Sequence, residues 1–266
     1  MAGRLAGKTA IVVGAGQQPG ETVGNGRAIA LTFAREGASV LCVDREEARA
    51  RTTADEIVQQ GGTAQALAVD VTDPAAGDAI AAQCSDEWQP DILVYNVGIG
   101  SAGDGPAHRH DDAAFAKIFE VNFSGARRIT RAILPLMRTR EKGAVVTVSS
   151  LASIAGANML GYEVSKAALN RLTVSIARAN AKDGIRANGI LPGLMDTPMA
   201  MVGTSERDGR SIEDQRKARD AMVPLKGGMG SGWDTAAAAL FLASDEAKFI
   251  TGVLLPVDGG ASTRVG

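Results

Sequence analysis

Seven short runs, mostly apolar and rich in β-branched residues, alternate with helical patterns along nearly the whole 266-residue chain. The runs are 9–13, 39–43, 66–69, 92–95, 144–148, 186–191 and 253–257. Between them, 25–36, 45–60, 74–88, 111–139 and 160–183 repeat apolar residues at helical spacing. Strands with no polar face are those covered on both sides of a parallel sheet. Their alternation with helices requires βαβ crossovers. The pattern therefore predicts an α/β fold, a doubly wound parallel sheet of about seven strands with helices on both faces. No linker, repeat or low-complexity tract interrupts it, so 1–266 reads as one domain. A charged stretch, 205–220, breaks the rhythm late in the chain and reads as a solvated surface helix or lid.

Composition removes several classes of function. Lys and Arg total 28 against 30 Asp and Glu, a net charge of −2, which argues against a nucleic-acid partner. The longest unbroken apolar run, 236–243, is far below the ~18 residues that span a bilayer. A polar turn at Gly14 follows the first strand and no signal segment precedes it, so a cytoplasmic protein is expected, with no membrane partner. Cys42 and Cys84 read as small hydrophobes rather than a disulfide scaffold. His108 and His110 have no third ligand nearby, so no metal site is expected.

The chemistry concentrates at three places. First, strand one runs into a glycine-rich turn from Gly14 to Gly24-Asn25-Gly26, which opens a helix. Such a turn lets backbone N–H groups and the helix dipole meet a pyrophosphate. Asp44 ends strand two, 18 residues after Gly26, where a carboxylate accepts hydrogen bonds from ribose hydroxyls and repels a 2′-phosphate. Its alternative role is a helix N-cap before Arg45-Glu46-Glu47. Second, Tyr162 and Lys166 stand at i and i+4 in Tyr162-Glu163-Val164-Ser165-Lys166, on one helix face. An ammonium beside a phenol favours phenolate, which predicts a lowered pKa and a usable acid/base. Third, Asn122 falls on the apolar stripe of Phe115, Ile118 and Phe119, continued by Ile129 and Ile133. It is either a satisfied core amide or part of a polar relay.

With these segments in hand, the chain resembles the short-chain dehydrogenase/reductase family over essentially its whole length. The matches are Gly14 with Gly24-Asn25-Gly26, Val69-Asp70-Val71, Asn96-Val97-Gly98-Ile99, Val121-Asn122-Phe123-Ser124-Gly125 and Val146-Thr147-Val148-Ser149-Ser150. Tyr162 with Lys166, Asn188-Gly189-Ile190-Leu191-Pro192-Gly193, Thr197-Pro198, and Thr251-Gly252 through Val257-Asp258-Gly259-Gly260 complete the order. The resemblance implies a Rossmann-type domain and hydride transfer between NAD(H) and an alcohol or ketone. By that resemblance Tyr162 carries the proton, Lys166 holds the nicotinamide ribose, Ser150 bonds the substrate oxygen and Asn122 links Lys166 to a water path. Asp70 and Val71 meet the adenine, Asn96 and Gly98 the adenosine side, and Thr197 the carboxamide. A homotetramer built on 111–139 and 160–183 is likewise implied.

Two departures stand out. Nine residues separate Gly14 from Gly24 where the family usually has three, a net insertion of six that carries Pro19 and Glu21. Ser150 precedes Tyr162 by 12 residues where 13 is commoner, which leaves Ser149 as the alternative; the ungapped strand favours Ser150. NAD is expected over NADP because of Asp44, with Arg45 the counter-indication. Segment 195–226 is expected to form a substrate lid. The apolar Met199-Ala200-Met201-Val202 and the largely apolar 151–159 carry no Arg or Lys. They predict a hydrophobic substrate, cyclic or aryl.

Overall fold

A computed structural model describes residues 3–85, 88–100, 102–201, 209 and 211–263. Its main sheet has the strands β1 (Thr9–Val13), β2 (Ser39–Asp44), β3 (Thr63–Ala68), β4 (Ile92–Tyr95), β5 (Gly143–Val148), β6 (Ile185–Pro192) and β9 (Leu254–Val257). They run in the order β3-β2-β1-β4-β5-β6-β9, every pair parallel. Two short strands, β7 (Met195–Asp196) and β8 (Gly230–Ser231), pair separately. The chain leaves β1 toward one edge and β4 toward the other, so the switch point lies between Val13 and Tyr95, which are paired across the sheet. Ligands of doubly wound sheets bind in the crevice beyond the carboxyl ends of strands at such a point.

Alternating side chains divide the apolar interior into two layers. Ala10 and Val12 of β1 join Ile92 and Val94 of β4 in the layer under α1 (Asn25–Arg35) and α8 (Gly232–Ala243). Ile11, Val13, Leu93 and Tyr95 join the opposite layer under α5 (Gly125–Thr139) and α6 (Leu160–Asn180). Both faces of the strands are therefore buried, the reason their sequences lack polar alternation.

The expected elements appear, with four differences. The third strand is Thr63–Ala68 rather than 66–69; it is the sheet edge, and the exposed Thr63 and Gln65 mask its start. The helix expected over 74–88 is only α3 (Ala76–Ala81), and Asp86 and Glu87 of that segment lie outside the described residues. The single helix expected over 111–139 is α4 (Asp112–Phe119), a π-helical turn Glu120–Ser124, then α5. The wider turn brackets Asn122, whose side chain bonds backbone outside the helix. The pattern over 160–183 is α6 followed by a 3-10 turn Ala181–Asp183. Two further helices carry the edges of the site: α2 (Glu47–Gln59) after β2, and α7 (Ile212–Asp220) late in the chain.

Candidate active site

The crevice at the switch point is a cleft of about 450 Å³. One end is built by the turn after β1. Gly14 and Ala15 donate their N–H groups to Val43 O, at 2.8 and 3.0 Å, and Asn96 Nδ2 donates to Gly14 O at 3.0 Å. Helix α1 then crosses so close that a Cβ at Gly26 would lie 1.8 Å from Gly14 O, which explains a glycine there. The N-terminus of α1 has no capping side chain and no acidic residue in its first turn. Gly24 N–H is held by Gln17 Oε1 at 2.9 Å, and Asn25 Oδ1 is buried without a partner. These features fit the diphosphate of a dinucleotide: uncharged donors, a helix dipole and backbone close enough to touch.

Asp44 lies on the same cleft, with Oδ2 accepting from Gly16 N at 3.2 Å and Oδ1 from Glu46 N at 3.1 Å. It is not the N-cap of α2, a place taken by Glu46. Arg45 and Arg49 also line the cleft, and both reach Glu46, at 3.5 and 3.3 Å. Further along, Asp70 Oδ1 accepts from the N–H and hydroxyl of Thr72 at 2.9 and 2.7 Å, which holds its carboxyl below the usual range. Val71 is buried beside it and its carbonyl accepts from Arg128 at 2.7 Å. Asn96, Gly98 and Thr197 line the cleft with them.

The other end holds the polar cluster of α6. Tyr162 and Lys166 face into the cleft one turn apart, with Lys166 Nζ 5.8 Å from the phenol ring centre. Nζ donates to Val148 O at 3.0 Å and passes so near Gly98 that a Cβ there would lie 2.7 Å away. Burial pushes the Lys166 ammonium down to about 8. Burial also raises the Tyr162 phenol, and a hydrogen bond from Ser150 only partly opposes this. The expected lowering of the phenol by its lysine is therefore corrected. Both groups are desolvated, which penalises phenolate and ammonium alike.

The two serines have different partners, and Ser149 is the one on the cleft lining. Ser149 is buried and donates to Lys166 O at 3.1 Å, a structural bond between β5 and α6. Ser150 instead turns toward the phenol, its Oγ accepting from Ala152 N at 3.1 Å. Asn122 is fully buried: Oδ1 accepts from Ile99 N at 2.8 Å, and Nδ2 donates to Ile99 O and Ser165 Oγ, each at 3.0 Å. Ser165 in turn donates to Tyr162 O at 2.8 Å, so Asn122 reaches α6 through Ser165.

Asp104 escaped the sequence reading. Its carboxylate accepts the N–H groups of Gly161 at 2.8 Å and Tyr162 at 3.0 Å, while Gly105 O accepts from Leu160 N at 2.9 Å. Helix α6 has no side-chain cap of its own, so this loop supplies it. The partners are 57 and 58 residues apart, and no local spacing announces them.

Of the expected lid, residues 202–208 and 210 lie outside the described residues. Among the rest, Met199 is 47% exposed and lines the cleft, whereas Met201 is buried. Among the described residues no cluster of His, Cys, Asp or Glu could hold a metal ion, and no helix is long and apolar enough to cross a membrane.

A parallel sheet whose switch point opens on an uncapped helix N-terminus and on a half-buried tyrosine beside a buried lysine defines an oxidoreductase of the Rossmann type. Residues 21–262 match the family model described as enoyl-(acyl carrier protein) reductase. A short-chain dehydrogenase/reductase from Burkholderia xenovorans is 40% identical, each chain wholly covered, with a TM-score of 0.93. A 7α-hydroxysteroid dehydrogenase complexed with NADH and 7-oxo glycochenodeoxycholic acid is 33% identical over 97% of this chain and 95% of its own, TM-score 0.84. A structure described as an NAD(P)-dependent gluconate 5-dehydrogenase from Beutenbergia cavernae, with NADP bound at low occupancy, is 32% identical over 98% of each chain, TM-score 0.85. The chain belongs to the short-chain dehydrogenase/reductase family.

Proposed function

We propose that the protein oxidises a hydrophobic secondary alcohol, or reduces the corresponding ketone, with NAD(H). The observation that carries this reading is that Tyr162 and Lys166 share one cleft with Asp44 and the α1 N-terminus, with Ser150 set against the phenol from beside it. The dinucleotide would lie along Gly14, Gly24, Asn25, Gly26, Asp44, Asp70, Val71, Asn96, Gly98 and Thr197, and when bound it supplies the hydride acceptor or donor. In oxidation the substrate hydroxyl passes its proton to the Tyr162 phenolate as its carbon loses hydride. In reduction the phenol returns that proton to the new alkoxide oxygen. Ser150 orients the substrate oxygen, and the Lys166 ammonium beside the ring offsets by its charge part of the cost of a buried phenolate. Asn122, through Ser165 and Ile99, fixes the helix that carries the pair, so it acts as a positioning residue.

Asp44 favours NAD because a 2′-phosphate would meet its carboxylate. Arg45 and Arg49 favour the reverse, but both lie beside Glu46. The hydrophobic reading of the substrate rests on Met199 at the cleft and on the largely apolar segment 151–159, in which Ile154 is exposed. Ser153, one of the few polar side chains there, is already bonded to Ser150 O and Asn170. Assembly is expected as a homotetramer in the cytoplasm. The half-buried stack of Phe115, Phe119 and Phe123 on the α4–α5 face is suited to a second copy. NADH absorbance followed with a panel of cyclic and aryl alcohols and ketones tests the reading, with Tyr162→Phe as the blank. Turnover is expected in the wild type alone; preference for a small charged hydroxy acid would overturn the pocket assignment.

A further inference from the structure

The residues inserted between Gly14 and Gly24 are packed at both ends. At the base, Gln17 holds Gly24 N–H, and the Val23–Gly24 backbone lies against Gly232, where a Cβ would come 2.6 Å from Val23 O. At the tip, Gly20 rests on Pro198: a Cβ at position 20 would lie 2.9 Å from Pro198 Cβ. Beside it, Glu21 Oε2 is 3.8 Å from Arg216 of α7. The same guanidinium donates Nε to Asp196 Oδ2 at 2.9 Å. Asp196 ends β7 and leads directly into Thr197 and Pro198. Gln17 and Gln18 of the insertion line the cleft together with Thr197, Pro198 and Met199. The insertion and the turn after β7 therefore meet at the rim of the cleft, and one arginine is tied to both.

We propose that the inserted loop and the Thr197–Pro198 turn form a clasp at the mouth of the cofactor cleft, with Arg216 as its pin. Arg216 is thus a positioning residue that governs how fast a dinucleotide enters and leaves. The inference rests on the dinucleotide reading above. The two ionic contacts differ in weight. The Asp196 pair is short and both side chains are two-thirds or more buried, whereas Glu21 is 82% exposed at 3.8 Å, where solvent screens it. Arg216 therefore acts chiefly through Asp196, which holds the Thr197–Pro198 turn on which Gly20 rests, and touches the loop itself only lightly. A clasp differs from a direct phosphate ligand in its kinetics: loosening it speeds entry and exit alike, whereas removing a ligand speeds exit alone.

Stopped-flow fluorescence of NADH binding and displacement, repeated with NADPH, tests this without any substrate. Arg216→Gln and Gly20→Val disturb the clasp through different atoms, one a charge and the other a Cβ. In each variant the association and release rates are expected to rise together by at least about fivefold, with a smaller change in Kd. Glu21→Gln is expected to move both by less than about twofold. Full NADH stoichiometry in the variants shows that they are folded; if one fails this check, the other carries the test. Unchanged rates, or faster release with unchanged association, would overturn the clasp and leave the dinucleotide reading standing. Failure of the wild type to bind either dinucleotide would overturn both.

Discussion

Replacing Lys166 by methionine should make the empty protein more stable while removing its activity. The ammonium is 2% exposed, and burial brings it from 10.5 to about 8. At ~1.36 kcal/mol for each pH unit, keeping the charge buried costs the folded state about 3 kcal/mol. Lys166→Met removes that cost and leaves Val148 O without its 3.0 Å donor, a loss of about 1 kcal/mol. The net expectation at pH 7 is a gain of about 2 kcal/mol, or a Tm higher by roughly 4–8 °C for a chain of this size. The sign with pH follows from the lowered value. Below 8 both the folded and unfolded wild type hold the proton and the penalty is complete. As pH rises through 8 the folded state releases its proton first, and the penalty is gone above the unfolded value of 10.5. Urea titrations at pH 7 and pH 10 read this directly: the advantage of Lys166→Met should be nearly lost at pH 10. A variant less stable than wild type at pH 7, or an advantage independent of pH, would refute the reasoning.

Other expectations concern single contacts. Ser150→Ala should lower kcat by about 10²-fold while Ser149→Ala acts mainly on stability, because only Ser150 meets the phenol; steady-state kinetics and melting curves of the pair decide. Asp44→Ala should raise kcat/KM with NADP relative to NAD by roughly tenfold, measured with both cofactors and one substrate; an unchanged ratio would remove Asp44 from cofactor choice. Asp104→Ala should cost about 1–2 kcal/mol in urea unfolding through the lost cap of α6, with kcat falling more than cofactor affinity. Asp104→Asn, which keeps one acceptor oxygen but turns an NH2 toward the second N–H, should recover only part of both.

The βαβ rhythm and most strand limits are legible in the chain because they follow from local periodicity: β1 and β4 fall on the residues expected. Tyr162 and Lys166 are legible for the same reason, one turn apart on one helix, and Asp44 is legible from its place at the end of β2. Tertiary structure decided what depends on distant partners or on desolvation. The break of 111–139 into α4, a π turn and α5 accompanies Asn122 bonding the backbone of Ile99, 23 residues away. The cap of α6 comes from Asp104, and the tip of the insertion rests on Pro198. Which serine meets the phenol depends on the turn that follows β5, where the Ser149 hydroxyl is tied to Lys166 O and Ser150 is set against Tyr162. The sign of the Tyr162 shift depends on burial: a sequence places an ammonium four residues from a phenol, but only the packed cleft sets how much water each has lost.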